Sequence, residues 1–266
     1  MFLVRRRGDL EGMVRASSIV ADVLRLMRDL IRPGVSTGEL DRRAEKLIRD
    51  SGGIPAFKGY RLSSDYPPYP ASICASINDE VVHGIPREDR FLEEGDIVSI
   101  DVGVKALGFY GDGAATYPVG AVSPERARLI EVTRRALYVA IEQARVGKTL
   151  GDLGHAVESF VRSQGFEVVR TYSGHGIGKK LHDSPHVPNF GIRGAGLVIP
   201  PGLALAIEPM VNAGSHRVRT LEDGWTVVTE DGSDSAHFEH TVVVCEEGPK
   251  ILTLWEETTE LGSCAL

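Results

Sequence analysis

The sequence predicts an α+β fold built from two halves related by a pseudo-twofold axis, and three observations predict it. The first is an internal repeat: RPGVSTGELDRRAEKLIRDSGG (32–53) lies over RVGKTLGDLGHAVESFVRSQGF (145–166) without a gap. Arg32 meets Arg145, Gly34 meets Gly147, Gly38 meets Gly151, Leu40 meets Leu153 and Gly52 meets Gly165. The second is a shorter match downstream of each copy, EEGDIVSIDVG (93–103) with IPPGLALAIEPMV (199–211), which aligns Gly95 with Gly202 and Asp101 with Glu208. Each half is therefore an amphipathic helix followed by a buried strand that ends on a carboxylate. The third is the lack of any low-complexity linker in 266 residues that are 42% hydrophobic, enough for one sizeable core. Residues 1–266 are expected to form a single domain, with a frayed polar tail from about 256 to 266.

The elements follow in order. A leading helix is expected over about 11–31. The first repeat helix carries the apolar stripe Leu40, Ala44, Leu47 and Ile48, with Thr37 near its start, Glu39 in its first turn and Gly52 as its stop. The Pro-, Tyr- and Ser-rich segment 54–73 reads as loop. Residues 98–104 and 109–114 form a hairpin around Lys105-Ala106-Leu107-Gly108, whose expected register sets Asp101 directly opposite Asp112. Ser123 before Pro124 and Glu125 starts a helix over about 123–145. The second repeat helix has the stripe Leu153, Val157, Phe160 and Val161, with Thr149 or Leu150 at its start, Asp152 in its first turn and Gly165 as its stop. LALAIEPM (203–210) reads as a buried strand halted by Pro209. HFEHTVVV (237–244) reads as one strand with His237, Glu239, Thr241 and Val243 on a common face.

Composition excludes several classes of function. A formal charge of −7 argues against a general binder of nucleic-acid phosphates, and Arg5-Arg6-Arg7 is too short a run to reverse that. The most apolar stretch, 195–211, is broken by Pro200, Pro201, Gly202, Glu208 and Pro209, so no membrane span is expected, and the N-terminus lacks the pattern of a secretory signal. Three distant cysteines (Cys74, Cys245, Cys264) without CxxC spacing fit a reducing cytoplasm. VGKT (146–149) lacks the upstream glycine of a phosphate loop, GIRGAG (191–196) lacks the setting of a dinucleotide fold, and no GxSxG elbow is present.

The hairpin aspartates pose a physical problem. Two carboxylates facing each other on a half-buried sheet repel, unless one is protonated or a cation lies between them. Further donors make the cation the better answer: His175 between glycines in SGHGIG (173–178), Glu208 at a buried strand end, and Glu239 in a β-branched strand. Two Asp, two Glu and one His are more oxygen than one ion can use, but suit two divalent ions sharing carboxylates. Such a donor set favours Mn²⁺, Fe²⁺, Co²⁺ or Zn²⁺, and a two-metal site can activate water for hydrolysis.

Taken together, INDEVVHGIP (77–86), GDIVSIDVG (95–103), GFYGD (108–112), GHGIG (174–178), LAIEPM (205–210) and RTLEDGWTVVTEDGSDSAHFEHTVVV (219–244) resemble the type I methionine aminopeptidases from about residue 9 to 254. The resemblance implies the pita-bread fold, two pseudo-symmetric halves around a curved antiparallel sheet, and one catalytic domain. It implies a cytoplasmic monomer that removes the initiator methionine from peptides and nascent polypeptides with a small second residue, the latter at the ribosome, with no specific nucleic acid and no membrane as partner. By matching position, Asp112 and Glu239 would bridge two divalent metal ions (Co, Mn, Fe or Zn), Asp101 would complete one site, and His175 with Glu208 the other. Glu208 would also shuttle the proton, His182 would hold the carbonyl oxygen and His83 the scissile amide. Cys74 and Trp225, with Tyr66 or Tyr69, would line the methionine pocket.

The chain departs from that pattern at several places. The segment between Gly59 and Cys74 is long, Leu181 and Gly113 replace an aromatic and a hydroxyl residue, and His237 stands where glutamine is expected. His237, on the face of Glu239, either contacts the site or caps a surface network, and the network is the preferred reading. The rivals are an Xaa-Pro aminopeptidase or prolidase, which would add an N-terminal domain, and a non-catalytic binding protein of the same fold, which would lack metal ligands.

Overall fold

The computed structural model describes residues 1–256 except 62, 64 and 65, so the expected tail lies beyond the described residues. The first half contains α1 (Arg7–Leu30), α2 (Thr37–Asp50), β1 (Ile54–Pro55), β2 (Cys74–Ile77), β3 (Glu80–Val82), β4 (Ile97–Ala106) and β5 (Phe109–Pro118). The second contains α3 (Pro124–Gln143), α4 (Leu150–Ser163), β6 (Glu167–Val168), β7 (Gly174–Gly176), β8 (Asp183–Val187) and β9 (Ala204–Ile207). It continues through β10 (Met210–Asn212), β11 (Val218–Thr220), β12 (Val227–Thr229), β13 (Ser235–His237), β14 (Glu239–Cys245) and β15 (Gly248–Ile251). Among the described residues no helix is long and apolar enough to cross a membrane.

Among the described residues the main sheet has nine strands and runs β1-β4-β5-β14-β9-β7-β8, with β2 also beside β4 and β15 beside β14. The largest apolar cluster of the described residues joins α1, α2, α3 and α4 to this sheet. On β4 the core takes Val98, Ile100, Val102 and Val104. Strand alternation therefore turns Ser99, Asp101 and Gly103 to the opposite face, where the site is built.

The local starts and stops are as side-chain chemistry dictates. Ser36 caps α2, its Oγ accepting from the Glu39 N–H at 3.1 Å, so Thr37 is already helical. Thr149 caps α4 in a reciprocal box with Asp152. Ser123 caps α3, and Pro124 takes the first turn. Gly52 and Gly165 follow the ends of the two repeat helices with φ of 76° and 79°, a conformation that favours glycine.

The repeat is visible as paired backbone bonds. The Gly34 N–H donates to Leu92 O (2.8 Å) and the Gly147 N–H to Ile199 O (3.0 Å); Gly38 donates to Arg87 O and Gly151 to Ala195 O. Bridges Ser36↔Phe91 and Thr149↔Val198 complete the parallel. In each half the helix start is thus tied to the segment leading into the acid-bearing strand. At Gly38 and Gly151 the approach is too close for a side chain. A Cβ at Gly38 would lie 2.8 Å from Glu88 N, and one at Gly151 would overlap the Ile192 carbonyl oxygen. Gly38→Ala and Gly151→Ala are each expected to cost about 1–3 kcal/mol in urea unfolding. Gly8→Ala, into open space at the start of α1, should leave the midpoint unchanged or raise it.

Three expectations are corrected. The β4–β5 hairpin closes over Leu107 (φ 51°) and Gly108 (φ 81°) alone, and pairs Asp101 with Ala114 and Gly103 with Asp112. Asp101 and Asp112 are therefore diagonal neighbours rather than directly opposed. Because the register moves by an even step, they stay on one face. The segment 237–244 is not one strand: β13 pairs with β10, β14 pairs with β5, β9 and β15, and Phe238 bridges them. The segment 54–73, read as loop, also contributes the two-residue β1.

Candidate metal centre and active-site cleft

Five consecutive neighbours in the sheet each present one donor. Asp101 comes from β4, Asp112 from β5, Glu239 from β14, Glu208 from the residue after β9, and His175 from β7. The small residue Ala114 pairs with both Asp101 and Glu239, leaving room above it for the two carboxylates. Ala206 likewise pairs with His175 and Thr241. Pro209 ends β9 just past Glu208, and the Asn189 amide holds the Glu208 carbonyl at 3.0 Å.

Within this group His175 Nε2 lies 3.5 Å from Glu208 Oε1 and 3.8 Å from Asp112 Oδ2. His175 Nδ1 donates to the Gly176 carbonyl at 3.0 Å, which assigns the hydrogen to Nδ1 and leaves the Nε2 lone pair facing the carboxylates. The flanking glycines are required by packing. A Cβ on Gly174 would strike the Ala206 carbonyl, and one on Gly176 the Ser184 carbonyl.

Electrostatics make the cluster costly on its own. Burial, reinforced by the neighbouring acids, pushes the carboxyls of Asp101, Glu208 and Glu239 well above the usual range, and burial raises Asp112 to about 7. Asp101 Oδ1, Asp112 Oδ1 and Glu239 Oε1 are shielded from solvent with no hydrogen-bond partner. Ligand atoms of Asp101, Asp112 and Glu239 lie within 4.8 Å of one another, as do those of His175, Glu208 and Glu239. Orphaned buried oxygens grouped at that spacing, with one imidazole nitrogen, fit divalent cations.

The donors form the floor of a cavity of about 600 Å³. Its apolar wall is formed by Phe57, Tyr69, Cys74 and Trp225, which pack in one cluster with Ala71 and Leu181. Cys74 pairs with Asp101 across β2 and β4, so pocket wall and carboxylates adjoin. Tyr69 is buried, its hydroxyl donating to Ile73 O (3.1 Å) or Gly84 O (2.9 Å), and its ring meets Trp225 edge-on at 5.2 Å. Tyr66 is 42% exposed and only touches the Trp225 ring from the rim, at 6.3 Å. Asp223 locks the Trp225 turn by accepting from the N–H groups of Trp225 and Thr226 and from the Thr226 hydroxyl.

His83 and His182 both reach the cavity. His83 has φ 60°, uncommon for a residue with a side chain, and its ring stands edge-on to Tyr172 (5.7 Å) and Trp225 (6.0 Å). Burial lowers its pKa to about 4, so it is neutral at pH 7. The His182 ring packs 4.4 Å from that of His175, and its Nδ1 meets the Tyr60 hydroxyl at 2.7 Å.

A model of metallopeptidase family M24 matches residues 11–246. The chain belongs to this family. Proteins similar to it over most of its length include several methionine aminopeptidases. The methionine aminopeptidase of Clostridium acetobutylicum is 46% identical over 256 residues, covering 96% of this chain and all of that protein. Methionine aminopeptidase 1 of Bacillus subtilis is 47% identical over 253 residues, 95% of this chain and 99% of that one. The crystal structure of the Thermotoga maritima methionine aminopeptidase superposes with a TM-score of 0.91 at 43% identity, covering 95% of this chain and 99% of that one. The M24 chain is thus a type I methionine aminopeptidase by family, with the pita-bread fold.

Every sequence-derived site residue of this M24 chain lines the one cleft: Asp101, Asp112, His175, Glu208, Glu239, His83, His182, Cys74, Trp225, Tyr66 and Tyr69. Tyr60, Phe57 and Tyr172 also line it and were not singled out from sequence. Tyr60 and Phe57 sit in the aromatic loop whose composition was the available signal. His237 is a correction. It caps no surface network: it is 1% exposed, and its Nε2 lies 3.9 Å from Glu208 Oε2.

Proposed function

We propose that this chain is a dinuclear metalloaminopeptidase that hydrolyses the bond after an N-terminal methionine, in peptides and nascent proteins whose second residue is small. The observation that carries the reading is the convergence of five metal-compatible donors from five neighbouring strands beside an apolar pocket. The similarity of the chain to methionine aminopeptidases of Clostridium acetobutylicum and Bacillus subtilis supports it.

Asp112 and Glu239 would hold both ions, Asp101 the first, and His175 with Glu208 the second. Mn²⁺, Fe²⁺, Co²⁺ and Zn²⁺ all suit this donor set. Bound there, such ions supply Lewis acidity and make water a competent nucleophile near neutral pH. The rest is done by side chains. Glu208 takes a proton from water and returns it to the leaving amine. His182 Nδ1 lies 2.7 Å from the Tyr60 hydroxyl; with that hydroxyl as donor the ring hydrogen would sit on Nε2, giving a neutral donor for the substrate carbonyl oxygen as negative charge develops there. His83 contacts the scissile amide. Phe57, Tyr69, Cys74 and Trp225 enclose the thioether, which needs shape more than hydrogen bonds.

Chelator-stripped protein resupplied with Mn²⁺ or Co²⁺ should release methionine from Met-Ala-Ser and leave Met-Leu-Ser intact. Metal binding without cleavage of either peptide would overturn the substrate assignment and direct the test to Xaa-Pro peptides. Asp223→Ala should loosen Trp225 and raise KM for Met-Ala-Ser roughly three- to tenfold, the scale of one net hydrogen bond, with kcat little changed.

A further inference from the structure

We propose that His237 is a positioning residue for Glu208, its imidazole Nε2–H holding Glu208 Oε2 while the other carboxylate oxygen faces His175. The proposal rests on the functional reading of Glu208 given above. Glu208 lies between two imidazoles: Oε1 is 3.5 Å from His175 Nε2, and Oε2 is 3.9 Å from His237 Nε2. His175 is accounted for by the metal cluster. His237 is not, although its Nε2 is shielded from solvent, lacks any hydrogen-bond partner and points toward the site. A buried nitrogen left without a partner costs free energy, so such an atom calls for an occupant.

The backbone around His237 is built to hold that atom in place. Thr116 Oγ1 accepts from the His237 N–H and donates to the His237 carbonyl, both at 2.9 Å. A hydroxyl has one hydrogen, so Ser99 Oγ, 2.8 Å away, must donate to Thr116. His237 also pairs with Met210 across β10 and β13, and Met210 lies two positions beyond Glu208. On the other side, Asn189 holds the Glu208 carbonyl. Both backbones are fixed, and 3.9 Å is beyond a direct hydrogen bond but within reach of one by rotation of the Glu208 side chain alone. The bond restricts Glu208 to one orientation, with Oε1 free for the ion and for the travelling proton. Outer partners of this kind typically change metal affinity or activity by about 10–100-fold when removed.

The test uses His237→Leu and His237→Gln beside the unsubstituted protein. His237→Leu should lower kcat on Met-Ala-Ser by roughly 10–100-fold without changing KM, and weaken Mn²⁺ or Zn²⁺ binding in calorimetry. His237→Gln, which keeps an N–H donor, should restore most of both. Histidine ¹⁵N NMR of the unsubstituted protein needs no mutant to fold, and should show His237 Nε2 as the hydrogen-bearing nitrogen with and without Zn²⁺. Unchanged kcat and metal affinity in His237→Leu would overturn the proposal, and so would loss of the Nε2 hydrogen on adding Zn²⁺, which would make His237 a ligand. If the unsubstituted protein releases no methionine, the functional reading fails instead, and calorimetry with NMR still decide the role of His237.

Discussion

Glu239→Ala should abolish methionine release, by roughly 10³-fold or more, the scale of losing several kcal/mol of metal-derived stabilisation at 1.36 kcal/mol per decade. Glu239 lies between Asp101 and the Glu208–His175 side of the cluster and belongs to two of the three candidate ligand groups. No other single carboxylate removal disturbs both proposed metal positions except that of Asp112. The same position should behave oppositely in stability. Without metal, Glu239 is a desolvated acid among three others, with an unpartnered oxygen. Glu239→Gln keeps the volume and removes the charge, so the metal-free variant should melt higher than the metal-free parent at pH 8. Added Mn²⁺ should raise the melting temperature of the parent much more than that of the variant. A metal-free variant that melts lower, with unchanged metal response, would count against the cluster as the binding site.

The second large effect is the pH dependence of metal binding. The four carboxyls are raised, Asp112 to about 7, so the metal-free site still carries protons near neutrality. Ions bind the deprotonated form and must displace them. His175 is lowered to about 3 by burial, with the nearby His182 adding to it, so it is already neutral and gives up no proton. Apparent affinity should therefore fall as pH drops below about 7, by about tenfold per unit for each proton displaced. Calorimetry in buffers of different ionisation enthalpy should record net proton release near pH 6.5. Stability alone is a poorer gauge, because the two groups act with opposite sign. A raised carboxyl leaves the native state holding more protons than the unfolded chain, so metal-free stability falls as pH rises from about 4 toward 7. The lowered histidines hold fewer, so their contribution rises with pH between about 3 and 6.5. Proton release on metal binding isolates the carboxylates.

Much of this was legible in the chain because its signals are local. Of the paired glycines, Gly38 and Gly151 mark close backbone contacts that exclude a Cβ, while Gly34 with Gly147 and Gly52 with Gly165 hold a positive φ, and both features recur in the two halves. Asp101 and Glu208 stood out because a carboxylate next to an apolar strand run conflicts with its surroundings, although β4 runs on to Ala106 and holds Asp101 in mid-strand where an end was expected. The hairpin register was not legible. It depends on Leu107 adopting a left-handed conformation for which leucine carries no signal, so the turn is tighter than the four residues expected. His237 was misread for a different reason. Alternation put it on the Glu239 face, but its burial is set by β10 and Thr116, which are remote in sequence. The aromatic loop announced itself by composition, yet which tyrosine forms the wall follows from the Tyr69 bonds to Ile73 and Gly84.

The most direct test of the central claim is anomalous diffraction at the Mn edge from crystals grown with Mn²⁺. The account predicts two peaks in the cleft, both contacting Asp112 and Glu239, one completed by Asp101 and the other by His175 and Glu208. Peaks elsewhere, or a cleft without metal in crystals that release methionine from Met-Ala-Ser, would contradict it.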